Sequence, residues 1–347
     1  MKILYVNFIH NLWGHKRLDE KLIKYLATFA EVTVISPRDW YKDLPSKINI
    51  ITYNPKTYLS KKIDSKHFYS IKIMNFAARI KKKEKFDYIF AASFDTYAFA
   101  IGRFFFNNQN NLYIMHHNNT DSLYRNKVDI FFKSYVKDVN HVVFEKFISD
   151  YLAKKYRIKK DNILTLPHPL YKNNCNNNKK KIDCVGISNS NDENWINEII
   201  NLEKKNEILK RHGLSVVLRS ESKTYDNGNL KVINGYLKKT KYNYYINNTN
   251  KIFLPFPKTF KYRMSGSLMD ALSNNKIVLG SDIPLIKRYS QQYPKICYTV
   301  KNPKDFFEQI KNIKVSKDNK MVKHDFKEFN NAHSQQKITE ILVREFS

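Results

Sequence analysis

The residues best suited to chemistry lie between Ile252 and Ser290, IFLPFPKTFKYRMSGSLMDALSNNKIVLGSDIPLIKRYS. A strand pattern ends at Pro255, a loop carrying Lys258, Lys261 and Arg263 follows, and Ser265-Gly266-Ser267 opens a helical run through Leu268, Met269, Ala271 and Leu272. That order builds an anion site. Ser265 can cap the helix, the first free N–H groups and the helix dipole face a negative ligand, and Gly266 admits a phosphate close to the backbone. Asp270, one turn in, can accept hydrogen bonds from ribose hydroxyls. The same residues also suit a plainer arrangement, a capped helix with solvated lysines, and spacing alone does not separate the two.

Holding such a segment requires a scaffold, and the rest of the chain supplies the pattern of one. Short runs rich in Ile, Val, Tyr and Phe alternate with longer stretches of helical period, as in a parallel sheet with crossover helices. Strands are expected at Lys2–Phe8, Val32–Ile35, Ile48–Tyr53, Tyr88–Ala91, Leu112–Met115, His141–Phe144 and Ile163–Leu166, with a helix from about Leu18 to Ala30. Residues 171–182 include the polar run YKNNCNNNKKK, which reads as a linker. The pattern then restarts with strands at Asp183–Ile187, Leu214–Leu218, Val232–Ile233, Ile252–Pro255, Ile277–Gly280 and Cys297–Val300. The chain is therefore read as α/β, with two Rossmann-like domains facing a central cleft. The expected divisions are an acceptor-side domain over 1–170, the linker 171–182, a donor domain over 183–315 and a helical segment over 316–347, with ligand at the carboxyl ends of the strands.

Composition narrows the classes further. The chain has 347 residues and 8 glycines, against the roughly 24 that average usage of about 7% would give. Lys+Arg 61 against Asp+Glu 32 leaves a net +29. The lysines travel with many Asn, Ile, Tyr and Phe and are spread through both halves, so part of the charge reflects codon drift. Nucleic-acid binders tend to concentrate charge on one face. Three cysteines, Cys175, Cys184 and Cys297, have no metal-ligand spacing, no run qualifies as a signal peptide, and the stretch Tyr88–Phe106 carries Ser93, Asp95 and Arg103. A cytoplasmic protein with no membrane span is expected.

The 252–290 segment resembles the donor-binding region of GT-B glycosyltransferases, above all the glycosyltransferase 4 (group 1) type common in bacterial envelope polysaccharide synthesis. That type has a Glu, seven residues, a second Glu, then an Ala, a turn and a strand ending before Ser-Asp. Here Leu268-Met269-Asp270-Ala271-Leu272 stands at the second acidic position, Asn274-Asn275-Lys276 at the turn and Ile277-Val278-Leu279-Gly280-Ser281-Asp282 at the strand. The chain departs at the first acidic position, which falls on Tyr262, and has Asp270 in place of the second Glu. The resemblance implies a metal-independent enzyme of hexosyltransferase type, with a nucleotide-sugar donor and no further cofactor. The acceptor would be a saccharide or lipid-linked saccharide, and the anomeric configuration would be retained.

It also assigns roles elsewhere. Gly14, in the loop after the first strand, stands where such enzymes approach the donor phosphates. Leu112-Tyr113-Ile114-Met115-His116-His117-Asn118 resembles the strand-to-loop histidine that faces the donor sugar, with His117 preferred over His116. Gly186 begins the donor domain's first loop, Arg219 and Lys223 would neutralise the leaving diphosphate, and Arg263 would take over part of the site vacated at Tyr262. With Ser265, Gly266, Ser267, Leu268 and Asp270 these complete the donor set. His168, between Pro167 and Pro169, reads as structural. The helix over Ser60–Lys85 places Phe68, Ile71, Met74 and Ala78 on one face between lysines; it suits packing on the sheet, with an anionic membrane surface as the second use. Two other readings compete: a nucleotide-sugar 2-epimerase of the same fold, which needs acidic general bases, and a basic nucleic-acid-binding protein.

Overall fold

The computed structural model describes residues 1–9, 15–37, 40–41, 43–53, 63–106, 110–172, 182–313 and 319–346, with the side chains of α2 described from His67 onward. The chain divides into two compact units, one comprising 1–169, 262–264 and 333–347 and the other 170–261 and 265–332. Gly14, Cys175 and most of the expected linker lie outside the described residues.

Unit 1 contains β1 (Lys2–Asn7), α1 (Lys16–Leu26), β2 (Glu31–Ser36), β3 (Asn49–Thr52), α2 (Ile63–Lys83), β4 (Tyr88–Ser93), α3 (Thr96–Gly102), β5 (Leu112–Met115), α4 (Asn126–Lys133), β6 (Asn140–Val143), α5 (Lys146–Tyr156) and β7 (Ile163–Thr165). The strands form one parallel sheet in the order β3-β2-β1-β4-β5-β6-β7. β1 is buried at every position after Lys2, as a central strand covered by helices on both faces must be. α2 lays Tyr69, Ile73, Met74, Ala77 and Ala78 into the core, while Phe68 stays exposed. Of the face expected on this helix, Met74 and Ala78 are thus committed to the sheet and Ile71 is half-buried.

Unit 2 continues with β8 (Cys184–Gly186), α6 (Glu193–Asn206), α7 (Ile208–Arg211), β9 (Val216–Ser220), β10 (Tyr225–Asp226), β11 (Leu230–Asn234), α8 (Lys239–Asn247), β12 (Lys251–Leu254), α9 (Gly266–Ser273), β13 (Ile277–Ser281), α10 (Pro284–Gln292), β14 (Cys297–Val300), α11 (Pro303–Asn312) and α12 (Lys320–Ala332). Its sheet runs β10-β11-β9-β8-β12-β13-β14, parallel except for the antiparallel β10–β11 pair.

The last helix, α13 (Gln335–Phe346), belongs to unit 1. The terminal segment read as one helical piece is therefore two helices in different units. α12 buries Phe329 against Tyr289 and Tyr293 of unit 2. α13 sets the Phe346 ring 4.8 Å from Tyr88 and 4.9 Å from Tyr113, whose hydroxyl donates to Glu345 at 2.9 Å. Helical period reveals an apolar stripe but not which sheet receives it.

Two glycines of unit 2 are required by packing. A Cβ on Gly186 would lie 2.8 Å from Leu218 Cδ2 and 3.1 Å from the Phe253 carbonyl, and one on Gly280 would lie 2.6 Å from Ile286 Cδ1. Crowding between elements is by itself a sufficient reason for glycine at position 186. Gly266 faces open space. Gly280→Ala should cost about 1–3 kcal/mol through overpacking, whereas Gly266→Ala should stay within about 0.5 kcal/mol of the parent or gain slightly from helix propensity. Urea unfolding of the two variants checks the contrast.

Candidate functional site

In an open parallel sheet every crossover delivers its loop to the carboxyl edge, and a crevice opens where strand order reverses. In unit 2 that reversal lies between β8 and β12. The loop after β8 carries Ser188, the stretch after β12 leads into α9, and Ser267 Oγ lies 3.2 Å from Ser188 Oγ. Ser265 caps α9 in an extended conformation, its Oγ accepting from the Leu268 N–H at 3.2 Å. Asp270 sits on the same helix and accepts from the Tyr242 hydroxyl at 3.2 Å.

The neighbouring strand β9 carries Arg219 one residue before its end, a 7% exposed residue whose Nε–H donates to the Gly235 carbonyl at 3.0 Å. Gly235 is at φ +81, a conformation open to glycine at little strain. Arg219 Nη1 is buried, has no hydrogen-bond partner among the described residues, and lies 3.8 Å from Glu221 Oε1. A buried guanidinium with an idle donor is costly unless an anion completes it. Two side chains that the sequence reading passed over build this edge. Asn191 donates to the carbonyls of Gly186 at 2.8 Å and Arg219 at 2.9 Å, tying the ends of β8 and β9. Glu193 accepts from the Ser220 and Ser222 hydroxyls and the Glu221 amide. Burial raises the Glu193 pKa, but these hydrogen bonds outweigh it and leave the carboxylate below its usual range. Lys223 is exposed, with its amide bound to Ser220 Oγ.

In unit 1 the order reverses between β1 and β4, and farther along the same sheet, at β5 and β6, the histidines form a directed chain. His141 Nε2 lies 2.7 Å from the Val136 carbonyl, which can only accept, so the proton is on Nε2 and Nδ1 is a bare acceptor. His116 Nε2, 2.8 Å from that Nδ1, must donate, and its own Nδ1 accepts from the Asn119 side-chain amide at 2.9 Å. Asn119 Oδ1 accepts from the His117 N–H at 3.0 Å. His116 is thereby committed to the core. His117 Nε2–H donates to the Ala92 carbonyl at 2.8 Å, which leaves Nδ1 an acceptor that no described residue engages. Its ring stacks on His15 at 3.6 Å. Of the two histidines singled out in the sequence, His117 alone retains an idle ring nitrogen.

His168 and His333 flank two of the points where the chain passes between units. His333 Nδ1–H donates to the His168 carbonyl at 2.9 Å, and His168 Nδ1–H donates to the Pro169 carbonyl at 3.0 Å. Burial holds these rings neutral: His141 and His333 are pushed down to about 4 and His168 to about 3, with His116 also well below its usual value.

Arg263 departs from its expected place. Tyr262–Met264 belong to unit 1, where Arg263 Nε lies 3.0 Å from Asp121 Oδ2 and the Tyr262 N–H donates to Asp121 Oδ1. Thr120 Oγ1 donates to the Tyr262 carbonyl, and the Tyr262 ring stacks on Tyr151 at 3.7 Å. The Arg263 charge is thus answered by a carboxylate within unit 1. Asp121 was missed in the sequence because nothing local distinguishes it from a solvated loop aspartate. Among the described residues no cluster of three or more His, Cys, Asp or Glu has the grouping to hold a metal ion.

This architecture matches solved structures along nearly the whole chain. A glycosyltransferase from Rickettsia africae aligns with TM-score 0.64 at 13% identity, covering 99% of this chain and 97% of that one. The sucrose-phosphate synthase of Thermosynechococcus elongatus aligns with TM-score 0.68 at 10% identity, covering 99% and 98%. Anabaena HepE in complex with UDP-glucose aligns with TM-score 0.65 at 11% identity, covering 99% and 98%. The chain has the GT-B fold. No protein-family model matches it and no curated protein matches it in sequence, so the likeness establishes the fold. In GT-B terms, unit 1 holds the N-terminal Rossmann-like sheet and unit 2 the C-terminal one.

Two outcomes follow from this geometry. A double-mutant cycle over Asp121→Asn and Arg263→Gln should return a coupling of about 1–2 kcal/mol in unfolding free energy, as for a partly buried charge-assisted pair. The buried histidines are neutral when folded and take protons when unfolded below about pH 6.5. Unit 1 should therefore lose stability as pH falls from about 6.5 toward 4, on the order of 1 kcal/mol for each of His116, His141, His168 and His333 at pH 5.5. Asp19, buried and pushed up to about 7, works in the opposite sense and offsets part of this loss. Nitrogen NMR of the imidazoles separates the two contributions: the four rings should keep one tautomer and not titrate above pH 5.

Proposed function

We propose that the protein transfers a sugar from a nucleotide-sugar donor to a saccharide or lipid-linked saccharide acceptor. The observation that carries this reading is the carboxyl edge of unit 2, where the capped N-terminus of α9 meets Ser188 at the strand-order reversal and Arg219 holds a buried, unoccupied donor in the adjacent strand. The amides of Gly266 and Ser267 and the α9 dipole would take the diphosphate, with Arg219 and Lys223 supplying the positive charge. Asp270, oriented by Tyr242, accepts from ribose hydroxyls. His117 Nδ1 accepts from a hydroxyl of the sugar.

Sugar transfer passes through an oxocarbenium-like state while negative charge builds on the departing diphosphate. Fixed amides and a buried guanidinium stabilise that charge most at the transition state, because they are already oriented and shielded from water. The side-chain cations of unit 2 do this work in the reading proposed. Arg263, paired with Asp121, has no part in neutralisation and acts by shaping the stretch that leads into Ser265. Retention of configuration and a role in surface polysaccharide synthesis belong to the same reading, which is supported by the group 1 pattern around Asp270 and by fold neighbours such as WaaG, a glycosyltransferase involved in lipopolysaccharide biosynthesis.

The test is calorimetric titration with UDP and GDP, followed by a panel of nucleotide-sugars scored for slow donor hydrolysis. One nucleotide should bind at sub-millimolar concentration, with Arg219→Gln weakening it at least tenfold and Asp121→Asn leaving it within about threefold; the tenfold loss equals about 1.4 kcal/mol. Asp270→Ala should lower turnover by at least tenfold, and His117→Ala should lower kcat more than it raises KM. Absence of binding by any nucleoside diphosphate in that range overturns the reading.

A further inference from the structure

His15 is not the residue its backbone favours. It stands at the N-cap of α1 with φ +46, in the left-handed region. Glycine takes that conformation with little strain, and asparagine tolerates it while offering a side-chain oxygen to the free amides of the first turn. Histidine brings neither advantage, since its side chain makes no capping hydrogen bond. Arg157, Glu207 and Asn275, the other non-glycine residues at positive φ among those described, follow the last turns of α5, α6 and α9, where helices commonly end in this conformation. A left-handed histidine at a helix start has no such local reason.

The turn beneath it is pinned. The His15 carbonyl accepts from the Asp19 N–H at 2.8 Å, and the fully buried Asp19 carboxyl accepts from the hydroxyls of Tyr5 on β1 at 2.8 Å and Tyr41 in the loop after β2 at 2.9 Å. Strain that the surroundings hold in place points to a use for the side chain. That side chain meets His117: the two rings lie 3.6 Å apart with 12° between their planes. The hydrogen bond from His117 Nε2–H to the Ala92 carbonyl fixes one point of its ring and leaves the ring free to turn about that bond. The flat face of His15 removes this freedom and so sets the direction of Nδ1. Burial holds the His117 pKa well below its usual value, and the rings of His15, His168 and His116 push the same way against the Ala92 hydrogen bond, so Nδ1 stays a bare acceptor.

We propose that His15 is the positioning residue of His117: its ring, carried on a left-handed backbone, fixes the plane in which His117 Nδ1 accepts from a substrate hydroxyl. The inference rests on the transferase reading for the identity of that hydroxyl, and on unit 1 alone for the ring pair. Glycine at position 15 would relieve the backbone and release the His117 ring. A flat ring without nitrogens would keep the stack, because the role assigned to His15 is its face and not its proton.

His15→Gly and His15→Phe in the full chain test this. Glycine suits φ +46, so the melting midpoint of His15→Gly should stay within about 3 °C of the parent and any loss of turnover is not read through unfolding. In nitrogen NMR the His117 ring should give one sharp pair of signals in the parent, a broadened or doubled pair in His15→Gly and a single pair again in His15→Phe. With a donor and acceptor that the parent turns over, His15→Gly should lower kcat at least tenfold with KM within about threefold, and His15→Phe should keep kcat within about threefold of the parent. The inference is overturned if the His117 signals of His15→Gly match those of the parent, if its kcat does, or if His15→Phe behaves as His15→Gly. Should no nucleotide-sugar be turned over, the transferase reading fails instead, and the NMR comparison decides the role of His15 by itself.

Discussion

Two successive parallel strands can be joined only by a crossover, and that constraint sorts everything else in this chain. It sends each loop that follows a strand to the carboxyl edge, and it splits neighbouring loops apart where the order reverses, at β1/β4 in unit 1 and β8/β12 in unit 2. The residues that matter chemically need no proximity in sequence, because the sheet gathers them. Ser188 and Ser267 are 79 positions apart and touch at one reversal. His15 and His117 stack at the other.

The two edges solve opposite electrostatic problems. Unit 1 keeps its histidines neutral: His141 donates to the Val136 carbonyl, His116 to His141 Nδ1, and the Asn119 side-chain amide to His116 Nδ1. The direction of the whole chain follows from a single carbonyl, and it fixes the loop from which His117 projects. Protonating any ring along it would place two donors face to face. Unit 2 instead retains a buried charge, Arg219, partly answered by Gly235 and Glu221. Unit 1 thus offers a neutral acceptor at His117 Nδ1 and unit 2 an incompletely satisfied cation at Arg219.

Much of the scaffold is legible in the sequence because strands covered on both faces must be apolar throughout. Lys2–Asn7, Val216–Ser220 and Ile277–Ser281 therefore stand out in a chain otherwise crowded with lysine and asparagine. Ser265 is legible for a local reason as well, since a capping hydroxyl and the amide it serves are three residues apart. What is not legible depends on partners distant in sequence. Nothing in KYRMS tells that Arg263 will meet Asp121, 142 positions earlier, nor does the period of the last helix say that Phe346 will pack on Tyr88 and Tyr113. His141 gave the one usable hint, a histidine inside a strand that is otherwise buried and apolar.

The scarce glycines show how the same residue type can mislead. Gly186, Gly266 and Gly280 all fall in segments that resemble donor-binding parts of group 1 glycosyltransferases, yet Gly186 and Gly280 are fixed by the side chains of Leu218 and Ile286. Gly266 alone has open space at its Cα, at the first turn of α9 beside the cap. Among the described glycines a Cβ is crowded at Gly102, Gly186 and Gly280, while a positive φ would strain a side chain at Gly213, Gly228 and Gly235. Gly266 is under neither constraint, so its replacement by alanine isolates whatever approaches the backbone at the N-terminus of α9 from the packing of the fold.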